Sequence, residues 1–179
     1  ALGTATIAAV NSVSQAVTSS IASEGQAILA GDVRFELRNR EATPEERSYL
    51  EGLGDIAVST GLRSMARAPS GSEQTLAEVK AVDGAYPLYG TFEAEPNRPL
   101  DELLAKDQDS YGALAAPLLF ERLGVKPGDE ILLGSARLKL TGSIVNEPDA
   151  LSDGFGFAPR LLVSRDALVA SGLIQTGSL

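Results

Sequence analysis

The sequence predicts an α+β fold, with a long N-terminal stalk helix and small mixed sheets flanked by helices in two lobes. Three observations predict it. Apolar residues recur at helical spacing through the first thirty positions. Two-residue alternation replaces that spacing from Asp32. The remainder is divided by helix caps and tight turns into short elements of both kinds.

The first thirty residues read as one helix. Ile7, Val10, Val13, Val17, Ile21 and Ile28 lie on one face, Asn11, Ser12, Gln15 and Thr18 fall between them, and Gly31 ends the run. At about 1.5 Å per residue such a helix would reach roughly 45 Å. Two readings stay open: an amphipathic core helix, or a helix that leaves a membrane through Ala1–Val10 and continues into solvent. The polar density after Asn11 is too high for a complete bilayer span. The stretch also lacks the basic and apolar regions of a signal peptide.

Val33, Phe35 and Leu37 alternate with Arg34, Glu36 and Arg38, which predicts a half-buried strand over Asp32–Arg38 with the charges on its open face. Thr43-Pro44-Glu45-Glu46 is a helix start with a capping-box spacing. Alternation resumes from Ile56 to about Ala68. Pro69-Ser70-Gly71-Ser72 turns the chain, and Gln74–Val82 returns as a hairpin partner. Asp83–Arg98 is loop-rich, and a break between lobes is expected within Tyr86–Pro99. Pro99–Ala105 and Pro117–Leu123 read as short helices, the second closed by Gly124. Lys126-Pro127-Gly128-Asp129 suits a type II turn. Glu130–Leu133 and Arg137–Val145 form a hairpin, Arg160–Val163 a strand, and Ser164 caps a helix over Arg165–Ser171 that Gly172 closes. The expected organisation is a helix over 1–30, a strand–helix–strand–strand lobe over 31–98 and a helix–hairpin–strand–helix lobe over 99–179. Leu173–Leu179 reads as the opening of a further strand.

Composition limits the chemistry. The chain of 179 residues has no His and no Cys, which removes His-based triads, thiol nucleophiles and the commonest zinc and iron–sulfur ligands. No phosphate-binding glycine loop occurs. A net charge of −9 argues against a nucleic-acid partner and against lying on anionic lipid. Aromatics are scarce and Trp is absent, so Leu, Val, Ile and Ala must build the core. At this length roughly 70% of the unfolded surface can be buried without a disulfide or metal.

The run Leu123-Gly124-Val125-Lys126-Pro127-Gly128-Asp129-Glu130-Ile131 resembles the turn that precedes a strand pair in periplasmic core domains of MacB/FtsX/LolE-class ABC-transporter permeases. Gly31-Asp32-Val33 is similar to the family's step out of its membrane helix, with Ala30 in place of the usual first glycine. Ala42–Glu46 and the passage from Pro159-Arg160-Leu161-Leu162 to Gly172-Leu173-Ile174-Gln175 look most like the large YbbP-type permeases of that class. The matches together cover most of the chain. The resemblance implies a non-catalytic domain on the periplasmic face of the bacterial inner membrane, joined to the membrane part of its permease. It implies no cofactor in the domain, ATP being bound by a separate cytoplasmic ATPase subunit. It further implies coupling of ATP-driven helix movement to handling of a hydrophobic or lipid-like molecule, with a periplasmic esterase or other accessory protein as partner.

The candidate contact residues for substrate or partner are Tyr86, Tyr89 and Phe92 in one loop region and Phe155 and Phe157 in another. So many of the chain's few aromatics in two loops would make an apolar contact site, or would plug the ends of a sheet. Glu147, Asp149 and Asp153 offer carboxylates to a hard cation, but the spacing fits no EF-hand and Pro148 stiffens the loop, so no metal site is expected. Two other functional classes remain: an independent soluble periplasmic binding module, and a His-free carboxylate hydrolase, for which sequence-distant acids must meet in space. A third is a scaffold that recruits a cell-wall enzyme.

Overall fold

Strands from both halves of the chain interleave in one sheet. The computed structural model describes residues 20, 25, 31–38, 40–150 and 156–174. Its strands are β1 (Ser59–Arg67), β2 (Gln74–Val82), β3 (Glu93–Glu95), β4 (Lys106–Asp107), β5 (Ser110–Ala115), β6 (Glu130–Leu133), β7 (Ala136–Asn146) and β8 (Arg160–Ser164). Its helices are α1 (Pro44–Glu51), α2 (Leu100–Leu103), α3 (Pro117–Leu123) and α4 (Arg165–Ser171). The sheet order is β3-β7-β6-β1-β2-β8-β5-β4, and β5 also pairs with β7. Strands β7, β6, β1, β2, β8 and β5 therefore close on themselves, with β3 and β4 added outside the ring.

This arrangement corrects the expectation of small sheets in two lobes. β2 runs parallel to β8, with Lys80 opposite Leu162 and Glu78 opposite Arg160, and Ala66 of β1 pairs with Leu133 of β6. Residues 31–98 and 99–179 thus share a sheet, and no lobe boundary falls in Tyr86–Pro99. Local patterns specify hairpins well, but parallel pairing between distant strands leaves no local trace.

The two sheet faces carry separate apolar clusters. Ala77, Val79, Ala113, Ile131, Leu138, Leu140, Leu161 and Val163 pack with Leu119 and Leu123 of α3 and Leu168 of α4. Val82, Leu114 and Leu162 pack on the opposite side with Leu103, Leu104, Ala94 and Tyr86. β5 is the centre of this arrangement, running parallel to β7 and antiparallel to β8. Its sequence, SYGALA, has no β-branched residue and was not anticipated as a strand. A Cβ at Gly112 would overlap the Leu103 carbonyl, so the absent side chain lets α2 lie directly on β5.

The local signals are otherwise obeyed. Thr43 forms a full capping box with Glu46. Gly124 and Gly172 take left-handed conformations after α3 and α4. Gly128 has φ 97°, its N–H donates to the Leu140 carbonyl over 2.7 Å, and the Leu140 N–H donates to the Asp129 carbonyl over 2.9 Å. The Lys-Pro-Gly-Asp turn is thereby fastened to β7. The helix expected over Pro99–Ala105 shortens to α2.

One strand expectation fails. Residues 32–38 join no sheet, and Val33, Phe35 and Leu37 are 67%, 66% and 41% exposed. Alternation needs a partner strand, and among the described residues none pairs with 32–38, although β1 meets β6 only at Ala66 and Arg67 and keeps an open edge over its earlier residues. Of the long helix expected over 1–30, only Ser20 and Gly25 fall among the described residues. The strand opening over Leu173–Leu179 falls mostly outside them, and Leu173 and Ile174 are not in a strand.

Two measurements test this architecture. Gly112→Ala should lower stability by about 3 kcal/mol, the upper end of overpacking costs, read from the denaturant midpoint; an unchanged midpoint would mean that α2 does not rest on β5. The Glu46 carboxyl is held down to about 2, first by the Arg40 guanidinium and then by the Thr43 N–H. Because the folded-state value lies below the ordinary 4.5, this contribution is present above pH 4.5 and is lost as pH falls toward 2. An NMR titration of Glu46 should give a midpoint near 2, and one near 4.5 would mean the capping box does not form in solution.

Candidate functional site

A buried lysine organises the polar centre of the molecule. On β2, Ala77, Val79 and Ala81 face one core, which directs Glu78, Lys80 and Val82 to the other side. Lys80 is 2% exposed. An unpaired ammonium at such depth is costly, and Lys80 is fully engaged. Its Nζ lies 2.7 Å from Glu147 Oε1 and 2.7 Å from Asp149 Oδ2, donates to the Tyr86 hydroxyl over 3.3 Å, and stands 4.7 Å from the Tyr86 ring centroid. The Tyr86 hydroxyl donates to Asp149 Oδ1 over 2.6 Å.

Arginines extend the cluster along the sheet. Arg160 Nε donates to Glu147 Oε2 over 3.0 Å. The register that sets Glu78 beside Arg160 and Arg63 brings their charged ends to 3.8 and 3.3 Å. The Lys80, Arg160 and Arg63 cations face the Glu147, Asp149 and Glu78 carboxylates, so formal charge balances. No buried side-chain nitrogen or oxygen among the described residues lacks a partner. Burial by itself would lower the Lys80 pKa, but the Glu147 charge and the hydrogen bonds to Asp149 and Glu147 outweigh it and raise the value. A raised lysine stabilises fully below its ordinary pKa and loses that contribution only as pH rises through the folded value. The ammonium is therefore charged at neutral pH.

Glu147 and Asp149, weighed from sequence as ligands for a hard cation, instead converge on the Lys80 ammonium. Asp153 lies outside the described residues. Among the described residues no group of His, Cys, Asp and Glu is arranged to hold a metal ion.

The four candidate aromatics among the described residues take different environments. Tyr86 is buried in the lysine cluster, where its hydroxyl has two charged partners, and it offers no apolar contact surface. Phe92 packs partly against the second core cluster. Tyr89 is 40% exposed, and its hydroxyl donates to Asp32 over 3.2 Å, a bond that raises its pKa. Phe157 is 98% exposed. Phe155 lies outside the described residues. Sequence reasoning missed the roles of Lys80 and Arg160. One signal was present: Lys80 sits in Val-Lys-Ala-Val, a run without polar relief that marks a strand buried on both faces.

Two hollows stand out, one of them beside the cluster. The one beside Tyr86 measures about 120 Å³ and is lined by Val82, Leu100 and Leu104 among others, well under the roughly 300 Å³ of small-molecule sites. The other, about 460 Å³, is polar, with Asp107, Asp109, Glu130, Arg137 and Lys139 in its wall.

No protein-family model matches the chain. The chain is 29% identical over 179 residues to the ABC transporter permease YbbP of Escherichia coli (strain K12), a match that covers 99% of this chain and 21% of that permease. The chain thus spans only a small part of that relative's length. Its fold is similar to the extracellular domain of the noncanonic ABC-type transporter YknZ from Gram-positive bacteria, with a TM-score of 0.54 and 15% identity over 76% of this chain and 70% of that one. Both likenesses are to parts of ABC transporters, and they support the resemblance to MacB/FtsX-like periplasmic domains drawn from the Leu123–Ile131 run.

The lysine cluster has a direct test. Tyr86→Phe removes one hydroxyl and leaves Asp149 Oδ1 without that donor, which should lower stability by about 1–2 kcal/mol in urea denaturation. No change would mean that water replaces the hydroxyl and that Asp149 is less enclosed than its geometry indicates.

Proposed function

We propose that this chain works as a non-catalytic extracytoplasmic domain of an ABC-transporter permease. It would couple ATP-driven movement of membrane helices to the handling of a hydrophobic or lipid-like molecule, and would dock a periplasmic partner. The observation that carries this reading is the end-to-end sequence match to a permease together with the fold of a transporter's extracellular domain. The chemistry agrees. Nucleotide would be bound by a cytoplasmic ATPase, since the chain has no phosphate loop. Among the described residues no helix is long and apolar enough to cross a membrane.

The domain would act by surface contact and would not enclose its cargo. The apolar hollow beside Tyr86 is too small for a lipid chain, and the larger hollow is polar. Exposed apolar side chains are available instead: Phe157, Tyr89, and the Val33, Phe35 and Leu37 strip. Of the aromatics singled out from sequence, Phe157 and Tyr89 are the described residues that present open surface for such contact. The acidic net charge turns the surface away from anionic lipid and favours a protein partner with a basic rim.

The experiment uses the full-length permease with its ATPase in lipid vesicles. Replacing Phe157 and Tyr89 together by Ala should lower release of a fluorescent lipid at least about tenfold, the effect of removing an interface hot spot. Release at the wild-type level would remove these residues from the contact surface. Absence of ATP-dependent release from the wild-type permease would remove the lipid reading itself.

A further inference from the structure

The crossing from β7 to β8 is fastened to a single strand at both of its described feet. At the first foot, Glu147 and Asp149 are held by Lys80 of β2. At the second, Gly156 lies so close to Glu78 of β2 that a Cβ there would meet its carboxylate, and the Pro159 carbonyl accepts the Glu78 N–H over 2.9 Å. Arg160 joins the feet, reaching Glu147 on one side and Glu78 on the other. Tyr86 brings a third segment to the same point, since its hydroxyl binds Asp149 while its ring flanks the ammonium.

Folding alone does not explain this amount of buried charge. Ion pairs in an interior contribute little net stability relative to apolar residues of similar volume, and their best-attested use is to set one arrangement over its neighbours. The 147–150 segment lies at the end of β7, beyond its ladder with β5, so it would hydrate readily if released. Phe157, wholly exposed, stands two residues before Pro159, whose carbonyl is held by the Glu78 N–H.

We infer that Lys80, Glu147, Asp149, Tyr86 and Arg160 form an electrostatic latch that locks residues 147–149 at the end of β7 and the Tyr86 segment onto β2 beside the start of β8, close to where Phe157 projects. Lys80 is the positioning residue of this device. It touches no substrate and acts through the two carboxylates. The use of Phe157 as a contact rests on the function proposed above; the latch itself does not.

Carboxyl footprinting of the 179-residue chain with a carbodiimide and an amine tag, read by mass spectrometry, tests the latch without any transport assay. In the wild type, Glu147 and Asp149 should label far more slowly than exposed Glu45. Lys80→Met should raise their labelling at least about tenfold by shifting a local opening equilibrium. Leu138→Ala, which weakens the core elsewhere, should leave the Glu147 and Asp149 rates near wild type. Unchanged labelling in Lys80→Met would overturn the latch, because the carboxylates would then be held without the lysine. Equal labelling in Leu138→Ala would also overturn it, since the segment would then open with the fold as a whole. If Lys80→Met does not fold, Tyr86→Phe keeps the ammonium and should still raise Asp149 labelling about threefold, and wild-type labelling there would overturn the proposal. Normal partner or lipid contact with a confirmed latch would separate failure of the Phe157 reading from failure of the latch.

Discussion

The parallel pairing of β2 with β8 is the constraint on which the rest of the structure depends. It joins residues some eighty positions apart in sequence, and the strands it brings together pack with α3 and α4 in one core. Once made, it sets the side-chain rows. Glu78 must lie beside Arg160, and Lys80 must lie one row along, facing the segment that leaves β7. A register shift of one residue would turn Lys80 into the apolar core and Val79 out of it. Sheet register and polar cluster therefore specify each other.

The same pairing separates two kinds of surface. On the side of Ala77, Val79 and Ala81 the sheet is covered by helices and leucines. On the Lys80 side the packing is thinner, made by the short α2, by β3 and by loops. Polar side chains hold these loops in place where a larger domain would use more apolar area. Each buried charge there has a partner, which is the condition for a polar interior to be tolerated. A side chain presented from such a base loses little conformational freedom on contact, and that preorganisation favours binding.

The aromatics show how the same residue type takes different roles by position. Tyr86 and Tyr89 lie three residues apart, yet one is a buried hydroxyl donor in an ion cluster and the other is an exposed ring tied to Asp32. Phe92 fills a core and Phe157 stands in water. Their spacing in sequence suggested a single apolar patch, but clustering along the chain is no measure of clustering in space. The acidic pair Glu147 and Asp149 is the converse case. Their spacing pointed to no shared cation, and the one they hold comes from a strand more than sixty residues earlier.

By itself the sequence determined the local grammar: the Thr43–Glu46 capping box, the Gly124 and Gly172 helix ends, the Lys-Pro-Gly-Asp turn, both hairpins, and the absence of His, Cys and phosphate-loop chemistry. These depend on residues a few positions apart, so short-range sterics and hydrogen bonding decide them. The resemblance carried by Leu123–Ile131 likewise rests on contiguous residues. Only the tertiary structure decided that the halves share one closed sheet, that SYGALA is its central strand, that the alternating 32–38 stretch stays outside it, and that Lys80 binds Glu147, Asp149 and Tyr86. β5 is a strand because Gly112 admits α2 and its two neighbours supply the hydrogen bonds, which no propensity of Ser, Gly and Ala foretells. Residues 32–38 have the right alternation but pair with no strand among the described residues. In each case the deciding partner lies far away in the chain, where long-range pairing and burial outweigh local preference.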